Sequence, residues 1–241
     1  MKKQLCTFII LLVAMTIHGQ ELENTKESKN EIGIMLTDFM NGTIQLKYER
    51  LLGDHISVGL GVGHKGNNGI IRLSGIDSDQ IKTSDIAYNG QKVIAEGRYY
   101  LNRSGQIGMD GFYFGTYLKY SNFNTDLDGT YINSLEESFP VEFDGDIYIT
   151  SLGFMVGYKL PLSKKFSLDF LIAGPGSGFY KFKLTNRKDL PDEFYDDLNN
   201  ALEKYSIFDL LDGDFRFSEA NSKTKFTRLA FRYGISLGYS F

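Results

Sequence analysis

The last stretch of the chain, residues 225–241, reads KFTRLAFRYGISLGYSF and decides the fold. From residue 229 onward its odd positions carry Leu, Phe, Tyr or Ile, and its even positions carry Ala, Arg, Gly or Ser. Because side chains alternate between the two faces of a strand, this segment has one apolar face and one polar or small face. Soluble strands usually have about 5–6 residues, whereas a strand that crosses a bilayer needs about 9–11. The pattern therefore predicts a transmembrane strand.

Such a strand needs partners on both edges, because unpaired backbone groups in hydrocarbon cost several kcal/mol each. Seven earlier segments alternate in a similar way, at residues 31–37, 43–52, 55–63, 91–102, 111–122, 146–160 and 166–173. The sequence of residues 174–176, Gly-Pro-Gly, interrupts the seventh segment, and residues 179–184 could continue it. We therefore predict an all-β fold, an eight-stranded antiparallel up-and-down transmembrane β-barrel.

The connections between these segments differ in length in a regular way. Those after the second, fourth and sixth segments are short, whereas residues 64–90, 123–145 and 185–224 form long connections that we predict to be loops. Outer-membrane barrels have short periplasmic turns, longer extracellular loops and an even number of strands. We therefore expect an integral outer-membrane protein with extracellular long loops and both mature termini in the periplasm. The first connection contains Asn41-Gly42 and needs a bulge or a longer loop near residues 38–40 to keep the apolar faces in register.

The last long connection contains a helical pattern at residues 191–205. Pro191 suits a first helical turn, and Asp192 and Glu193 suit a helix N-terminus. Apolar residues at helical spacing share one face, namely Phe194, Leu198, Ala201, Leu202 and Tyr205. This pattern predicts a short amphipathic helix that packs on the barrel rim.

The predicted lumen contains many charges. The inward positions include Lys47, Glu49, Glu96, Arg98, Lys119, Lys159, Asp169, Arg228 and Arg232. An eight-stranded barrel has room for interior side chains or for one small ligand, and charges buried there have to be paired. We predict a salt-bridge network that fills the lumen. Because basic residues outnumber acidic ones, a site for a small polar or anionic ligand is the alternative.

The N-terminal residues 1–20 have the features of a secretory signal peptide. Lys2 and Lys3 are followed by the apolar run FIILLVAMTI at residues 8–17, which is too short to span a bilayer as a helix. Residues 21–30 are polar and are predicted to be a flexible lead-in, so that residues 31–241 form the barrel domain. The single cysteine, Cys6, lies in the predicted leader, and cleavage is expected near residues 18–20.

The sequence gives few indications of chemistry. The net charge of −4 argues against a nucleic-acid partner, and the mean hydropathy of −0.22 argues against a polytopic helical membrane protein. The chain contains no phosphate-binding loop, no zinc-type Cys/His cluster and no nucleophile elbow. His64 is expected near the outer rim, where some small barrels place lipid-modifying catalytic residues, but a triad also needs a nucleophile and an acid. We predict no catalytic, cofactor-binding or metal-binding residue. A secreted calycin-like barrel would have the reverse polarity, apolar inside and polar outside.

Several segments resemble the small eight-stranded outer-membrane barrels of Gram-negative bacteria, and more narrowly an uncharacterised family among them. They are NEIGI (30–34), KYERL (47–51), RYYL (98–101), GFYFGTYLKY (111–120), GYKL (157–160), FSLDFLIAGPG (166–176) and GISLGYSF (234–241). The terminal Phe241 is similar to the signal that the outer-membrane insertion machinery recognises. The resemblance implies architecture and location but no activity. We therefore expect a structural or interaction role through extracellular loops, with the lipid bilayer, the insertion machinery and an unidentified loop partner as contacts. The alternatives are a membrane-embedded lipid-modifying enzyme and a small-ligand-binding barrel.

Overall fold

A computed structural model describes residues 28–67, 69–70, 74–101, 108–203, 217–218 and 223–241. The predicted leader and most of the lead-in therefore lie outside the described residues. A 3-10 helix, Thr37–Asn41, follows the first strand, and one α-helix, α1, covers Asp192–Glu203. The strands are β1 (Asn30–Met35), β2 (Thr43–Leu51), β3 (Ile56–Lys65), β4 (Ile81–Thr83), β5 (Ala87–Tyr100), β6 (Gly111–Ile132), β7 (Ser138–Pro161), β8 (Phe166–Asn186) and β9 (Lys223–Ser240).

Eight of these strands close into a barrel. Each pairs antiparallel with its neighbours in the order β1-β2-β3-β5-β6-β7-β8-β9, and β9 returns to β1, where Tyr239 lies opposite Ile32. The remaining strand, β4, pairs with the outer part of β6, where Ile81 lies opposite Tyr131. The predicted fold class, an all-β up-and-down barrel of eight antiparallel strands with a short helix in its last long connection, is confirmed.

The two faces of the barrel wall have the polarity that the sequence predicts. Outward side chains such as Leu60 and Leu118 are apolar and are 53% and 50% exposed. Inward side chains include Glu49, Arg98 and Lys159, which are 1%, 4% and 1% exposed. An apolar exterior around a charged interior is the arrangement expected for a barrel whose outer face contacts lipid hydrocarbon. A soluble barrel has the opposite arrangement. Among the residues that the structure describes, no helix is long and apolar enough to cross a membrane.

The first connection is longer than a two-residue turn, as the register requires. Ile34 lies opposite Leu46, so both apolar side chains face outward. The 3-10 helix Thr37–Asn41 occupies the connection, and Gly42 ends it with a φ of 77°, in the left-handed region that glycine tolerates best.

The prediction of an irregular loop at residues 123–145 is wrong. β6 and β7 continue as a paired hairpin to a turn at residues 133–137, where the Asn133 side chain accepts hydrogen bonds from the Leu135 and Glu137 amides. The residues still alternate, but their polarity is inverted, because apolar side chains now take the inner face and acids the outer face. A strand that has left the bilayer meets water on its outside, so an acidic outer face is favourable there.

The predicted interruption of the seventh strand is also wrong. β8 is continuous from Phe166 to Asn186 and absorbs one extra residue, Ile172, in a β-bulge. The bulge shifts the inward positions from odd numbers, such as Leu171, to even numbers, such as Gly174. Gly174 and Pro175 form no ladder pair with the fully described strand β7, so the missing proline N–H costs no hydrogen bond there.

Two other connections differ in detail from the predictions. Within residues 64–90, β3 continues to Lys65 and β4 forms a separate short strand. The predicted helix at residues 191–205 is present as α1, with residues 204–205 outside the described residues.

We expect a charge at the centre of the lipid-facing band to destabilise the barrel. Leu118→Arg should cost about 2–4 kcal/mol, because an outward arginine near the bilayer midplane loses its hydration. Ile132→Arg is the matched control, since Ile132 is also an exposed aliphatic residue on the outer face of β6, but it lies at the tip of the hairpin. Refolding into lipid vesicles across a urea series measures both. Equal losses for the two variants would contradict the assignment of the bilayer-spanning region.

Candidate functional site: the charged lumen and the outer extension

A continuous ion-pair network crosses the lumen at the end with the short turns. Lys159 Nζ lies 2.9 Å from Glu31 Oε1 and 2.7 Å from Glu49 Oε2. Lys47 Nζ lies 2.5 Å from Asp169 Oδ2 and 3.7 Å from Glu49 Oε2. These contacts join side chains from β1, β2, β7 and β8, so they connect strands on different sides of the barrel.

Arg98 connects this group to a second one. Its Nη1 lies 2.8 Å from Asp169 Oδ2 and 3.4 Å from Glu49 Oε2, and its Nη2 lies 2.6 Å from Glu96 Oε2. Glu96 Oε1 in turn lies 2.7 Å from Arg232 Nη2. The connected side chains are four acids and four bases, Glu31, Glu49, Glu96 and Asp169 with Lys47, Arg98, Lys159 and Arg232. The network is therefore electrically balanced.

Hydroxyl groups donate further hydrogen bonds to three of the four carboxylates of the network. Glu49 Oε1 accepts hydrogen bonds of 2.6 Å from both Tyr100 and Ser57. Tyr113 donates to Asp169 Oδ1 at 2.8 Å, and Ser167 donates to Glu31 Oε2 at 2.7 Å. Buried charges are tolerated only when their remaining hydrogen-bonding capacity is also met, and these hydroxyls meet much of that requirement.

Aromatic rings and glycines complete the packing. The Arg98 guanidinium lies 4.4 Å from the centre of the Tyr113 ring, and that of Arg232 lies 4.5 Å from the centre of the Tyr117 ring. A Cβ at Gly157 would collide with the Tyr113 ring, so only glycine leaves room for it. A small cavity lined by Gln45 and Glu96 has a volume of about 10 Å³, which is about the space that one water needs.

The predicted lumen network is therefore present. Seven of its eight members were predicted from the alternation, and Lys119 and Arg228 lie on the same inner face. The prediction missed Glu31, whose inward position follows from the parity of β1, and Lys92. Lys92 Nζ lies 2.5 Å from Asp38 Oδ2, which comes from the 3-10 helix. No sequence pattern places Asp38 over the lumen, because its position depends on the fold of an irregular connection.

Beyond the barrel, the structure contains an ordered unit that we call the outer extension. It comprises β4, residues 123–132 of β6, residues 138–147 of β7, and α1. Its apolar core consists of Ile76, Ile81, Tyr131, Val141, Phe143, Phe194, Leu198 and Ala201. The Phe194 ring is fully buried, with its centre 5.7 Å from that of Phe143 and 5.2 Å from that of Tyr131.

Polar contacts hold α1 in place on this core. Asp197 Oδ2 accepts hydrogen bonds from Tyr131 at 2.7 Å and from Gln80 at 2.9 Å. Burial and the hydrogen bond to Asp197 raise the pKa of the Tyr131 phenol well above its usual range. Asn199 exchanges two hydrogen bonds of 2.9 Å with the backbone of Phe217.

The predicted position of the helix needs a correction. Phe194, Leu198 and Ala201 form its buried face as predicted, whereas the Leu202 side chain and Tyr205 lie outside the described residues. The helix packs on the outer extension and not on the barrel rim, because the β6–β7 hairpin continues beyond the rim and offers its apolar inner face.

A cavity of about 640 Å³ adjoins α1 and the outer end of β8. Its apolar lining includes Leu184, Tyr195 and Phe217, and its basic lining includes Arg187 and Lys188. Lys183 and Lys223 also line it. Three of these four basic groups already contact carboxylates, since Arg187 Nη2 lies 2.7 Å from Asp144 Oδ1, Lys188 Nζ lies 3.6 Å from Glu142 Oε1 and Lys183 Nζ lies 3.7 Å from Asp146 Oδ2.

His64, which was considered for catalysis, and the second described histidine, His55, lie apart from the lumen network. The His55 ring stacks on Tyr99 with 5.6 Å between ring centres. His64 is exposed on the outer face of β3, opposite Ile44 and Gln91. Within the described residues, no group of three or more His, Cys, Asp and Glu side chains is arranged to hold a metal ion.

A model of the DUF3575 family, described as proteins of unknown function, matches residues 8–193. The chain belongs to the DUF3575 family. This agrees with the predicted resemblance to a family without a known role. No curated protein matches the chain. Among solved structures, CarO of Acinetobacter baumannii shows a distant likeness, with 10% sequence identity, a TM-score of 0.43, and coverage of 91% of this chain and 100% of that one.

We expect Arg98 to be critical for the stability of this DUF3575 barrel. Arg98→Ala should cost about 3–5 kcal/mol, because it leaves Glu49, Glu96 and Asp169 with less compensation in a buried site. Arg187→Ala is the matched control, since Arg187 also contacts two carboxylates, Asp126 and Asp144, but is exposed. An exposed pair contributes about 0–1 kcal/mol.

The measurement is the midpoint of urea unfolding of the refolded barrel, followed by the gel shift between folded and heat-denatured protein. A large decrease for Arg98→Ala with little change for Arg187→Ala is the expected result. If the two midpoints are equal, the lumen network does not stabilise the barrel.

Proposed function

We propose that this protein is a non-catalytic outer-membrane barrel that anchors the outer extension at the cell surface, where the extension contacts a partner. The observation that carries the proposal is the contrast between the two ends of the molecule. The lumen is filled by side chains that bind one another, whereas the outer extension has an apolar core of its own. A loop without a function has little reason to maintain such a core.

The filled lumen supports a role other than transport. An eight-stranded barrel has an interior just wide enough for its own side chains. Here Lys47, Arg98 and Lys159 contact carboxylates from several strands at once, so opening a channel would separate buried ion pairs. The cavity beside Gln45 and Glu96, about 10 Å³, is too small for a ligand larger than one water.

The arrangement of ionisable groups supports the absence of catalysis. A general acid or base has to reach the proton that it transfers, but the carboxylates of the lumen are buried and engaged with counterions. His64, the candidate for a lipid-modifying triad, lies on the outward face with Ile44 and Gln91 as its strand neighbours. A triad would need a nucleophile and an orienting acid beside it.

The topology supports one orientation of the barrel in the membrane. The short turns and both ends of the barrel domain lie at one end, and the outer extension lies at the other. In outer-membrane barrels the longer connections face outward from the cell, so the extension would be extracellular. The C-terminal strand, with its outward aromatic residues, would be the segment that the insertion machinery binds.

Cysteine labelling tests location and orientation. The sole cysteine, Cys6, lies in the predicted leader, so a single substitution provides a unique thiol. Leu135→Cys lies at the exposed tip of the extension and Lys164→Cys in the exposed turn before β8. On intact cells a membrane-impermeant maleimide should label Leu135→Cys at once and Lys164→Cys only after lysis. The reverse pattern, or a protein that stays soluble without detergent, would refute the proposal.

Disrupting the extension tests its role. Deleting residues 186–222 and joining β8 to β9 by a short turn should leave a barrel that inserts, because the lumen network is untouched, but the cells should behave like cells lacking the protein. Phe194→Ala is a milder variant, expected to destabilise the extension by about 3–5 kcal/mol.

Leu135→Ala is the matched control, because Leu135 belongs to the same extension but is 76% exposed. It should leave both insertion and phenotype unchanged. Loss of insertion after the deletion would show that the segment is needed for the barrel itself. Normal insertion with a wild-type phenotype would exclude the extension as the functional surface.

A further inference from the structure

Four lysines form a compact group on the outward face of β8 and β9, and we call this group the lysine block. Lys181 lies directly opposite Lys225, and Lys183 directly opposite Lys223. The two pairs are consecutive on the same face, because positions two residues apart in a strand point the same way. The block therefore presents four ammonium groups within a patch two residues wide and two residues high.

This arrangement is unfavourable for the isolated barrel. Side chains directly opposite each other have Cβ atoms about 4.5–5.5 Å apart, and like charges there destabilise the sheet. Within the described residues the block has one ion pair, between Lys183 Nζ and Asp146 Oδ2 at 3.7 Å. The Lys181 ammonium lies 5.5 Å from the centre of the Tyr148 ring. An external anion would remove the remaining repulsion.

The height of the block on the wall identifies the kind of anion. Directly below it on the same face lies Phe179, opposite Thr227 of β9, and Leu229 lies two residues further down β9. Phe179 and Leu229 are outward and 53% and 78% exposed. Phe179 precedes Lys181 by two residues, which corresponds to about 7 Å along a strand. The lipid-facing band therefore ends where the lysine block begins, at the level where lipid headgroups lie.

Acidic side chains on the neighbouring strands β6 and β7 limit the positively charged surface to β8 and β9. On the outer face of the β6–β7 hairpin, Tyr148 lies opposite Lys181 and Asp146 opposite Lys183, and the acids Asp144 and Asp126 lie above them. Arg187 already contacts Asp126 and Asp144, and Lys183 contacts Asp146. An anionic headgroup would be repelled by the β6–β7 wall and attracted by the β8–β9 wall.

We propose that the lysine block binds the phosphate groups of lipids in the outer leaflet, with the acyl chains of those lipids lying on the apolar wall around Phe179 and Leu229. This inference rests on the proposed function, because it requires the outer extension and the lysine block to lie on the extracellular side. Lysine ammonium groups near a membrane surface are attracted to anionic headgroups, and continuity with the lipid-facing band favours a lipid over a free anion.

The experiment measures lipid binding by the purified barrel. The full mature chain in detergent is titrated with bisphosphorylated lipid A, and bound lipid is counted by native mass spectrometry. Lys181→Gln/Lys225→Gln should weaken binding roughly 30-fold, since each interfacial lysine contributes about a fivefold factor. The double variant should fold, because it removes a like-charge pair and no ion pair.

The matched control is Lys164→Gln/Lys165→Gln, which removes two exposed lysines from the turn at the opposite end of the barrel. It should bind lipid A like the wild type. An equal loss in both double variants would mean that total charge and not the block governs binding, and it would overturn the proposal. Equal binding by all three proteins would overturn it as well.

Inorganic pyrophosphate distinguishes the source of the phosphate. It should displace lipid A only weakly, because it lacks the acyl chains that contact the apolar wall. Full displacement at similar concentrations would indicate a site for free phosphates and would overturn the lipid assignment. These results do not depend on where the protein lies in the cell, so failure of the cysteine labelling and failure of lipid binding can be told apart.

Discussion

The contact between Arg98 and Asp169, with 2.8 Å between Nη1 and Oδ2, spans the barrel from β5 to β8. Both groups are buried and lose most of their hydration, so each charge is stabilised by the other. Glu49 on β2 and Glu96 on β5 bind the same guanidinium. A single arginine thus links three strands that are not neighbours in the sheet. The glycines of the inner face follow from this requirement, because rings such as Tyr113, which hold the carboxylates, need the space that a Cβ at Gly157 would take.

A second constraint is the change of solvent along the strands. β7 contains 24 residues, whereas about 9–11 are enough to cross a bilayer. Inside the bilayer its outward side chains are apolar, such as Leu152 and Phe154, and its inner face holds Lys159. Beyond the bilayer the inner face holds Val141 and Phe143, and the outer face holds acids. The side chains therefore alternate with the same two-residue period in lipid and in water, but the apolar face is outward in lipid and inward in water.

This reversal explains how far the sequence predicts the structure. The alternation is local, so the strands, their faces and seven of the eight network residues could be predicted from it. The prediction failed at residues 123–145. The strands there are surrounded by water, so their outward residues are acidic and their inward residues apolar. This is the reverse of the lipid-facing pattern by which the other strands are recognised, so the sequence of this segment resembles an acidic loop. The prediction also failed at Pro175, where the neighbouring bulge leaves the proline without a ladder pair on β7. The position of Asp38 opposite Lys92 depends on the path of an irregular connection, which periodicity does not describe.

The barrel and the outer extension are held together by different interactions, and this separates stability from function. Within the lumen the eight charges of the network pair with one another, and lipid covers the apolar wall, so neither needs a further partner. Residues that conflict with their surroundings in the isolated protein are better candidates for contacts with other molecules. The lysine block contains such residues, because Lys181 lies opposite Lys225 and Lys183 opposite Lys223, so that like charges face each other. They lie beside an extension with its own core, so the proposed contacts with other molecules, lipid phosphates and a partner, would use two neighbouring surfaces.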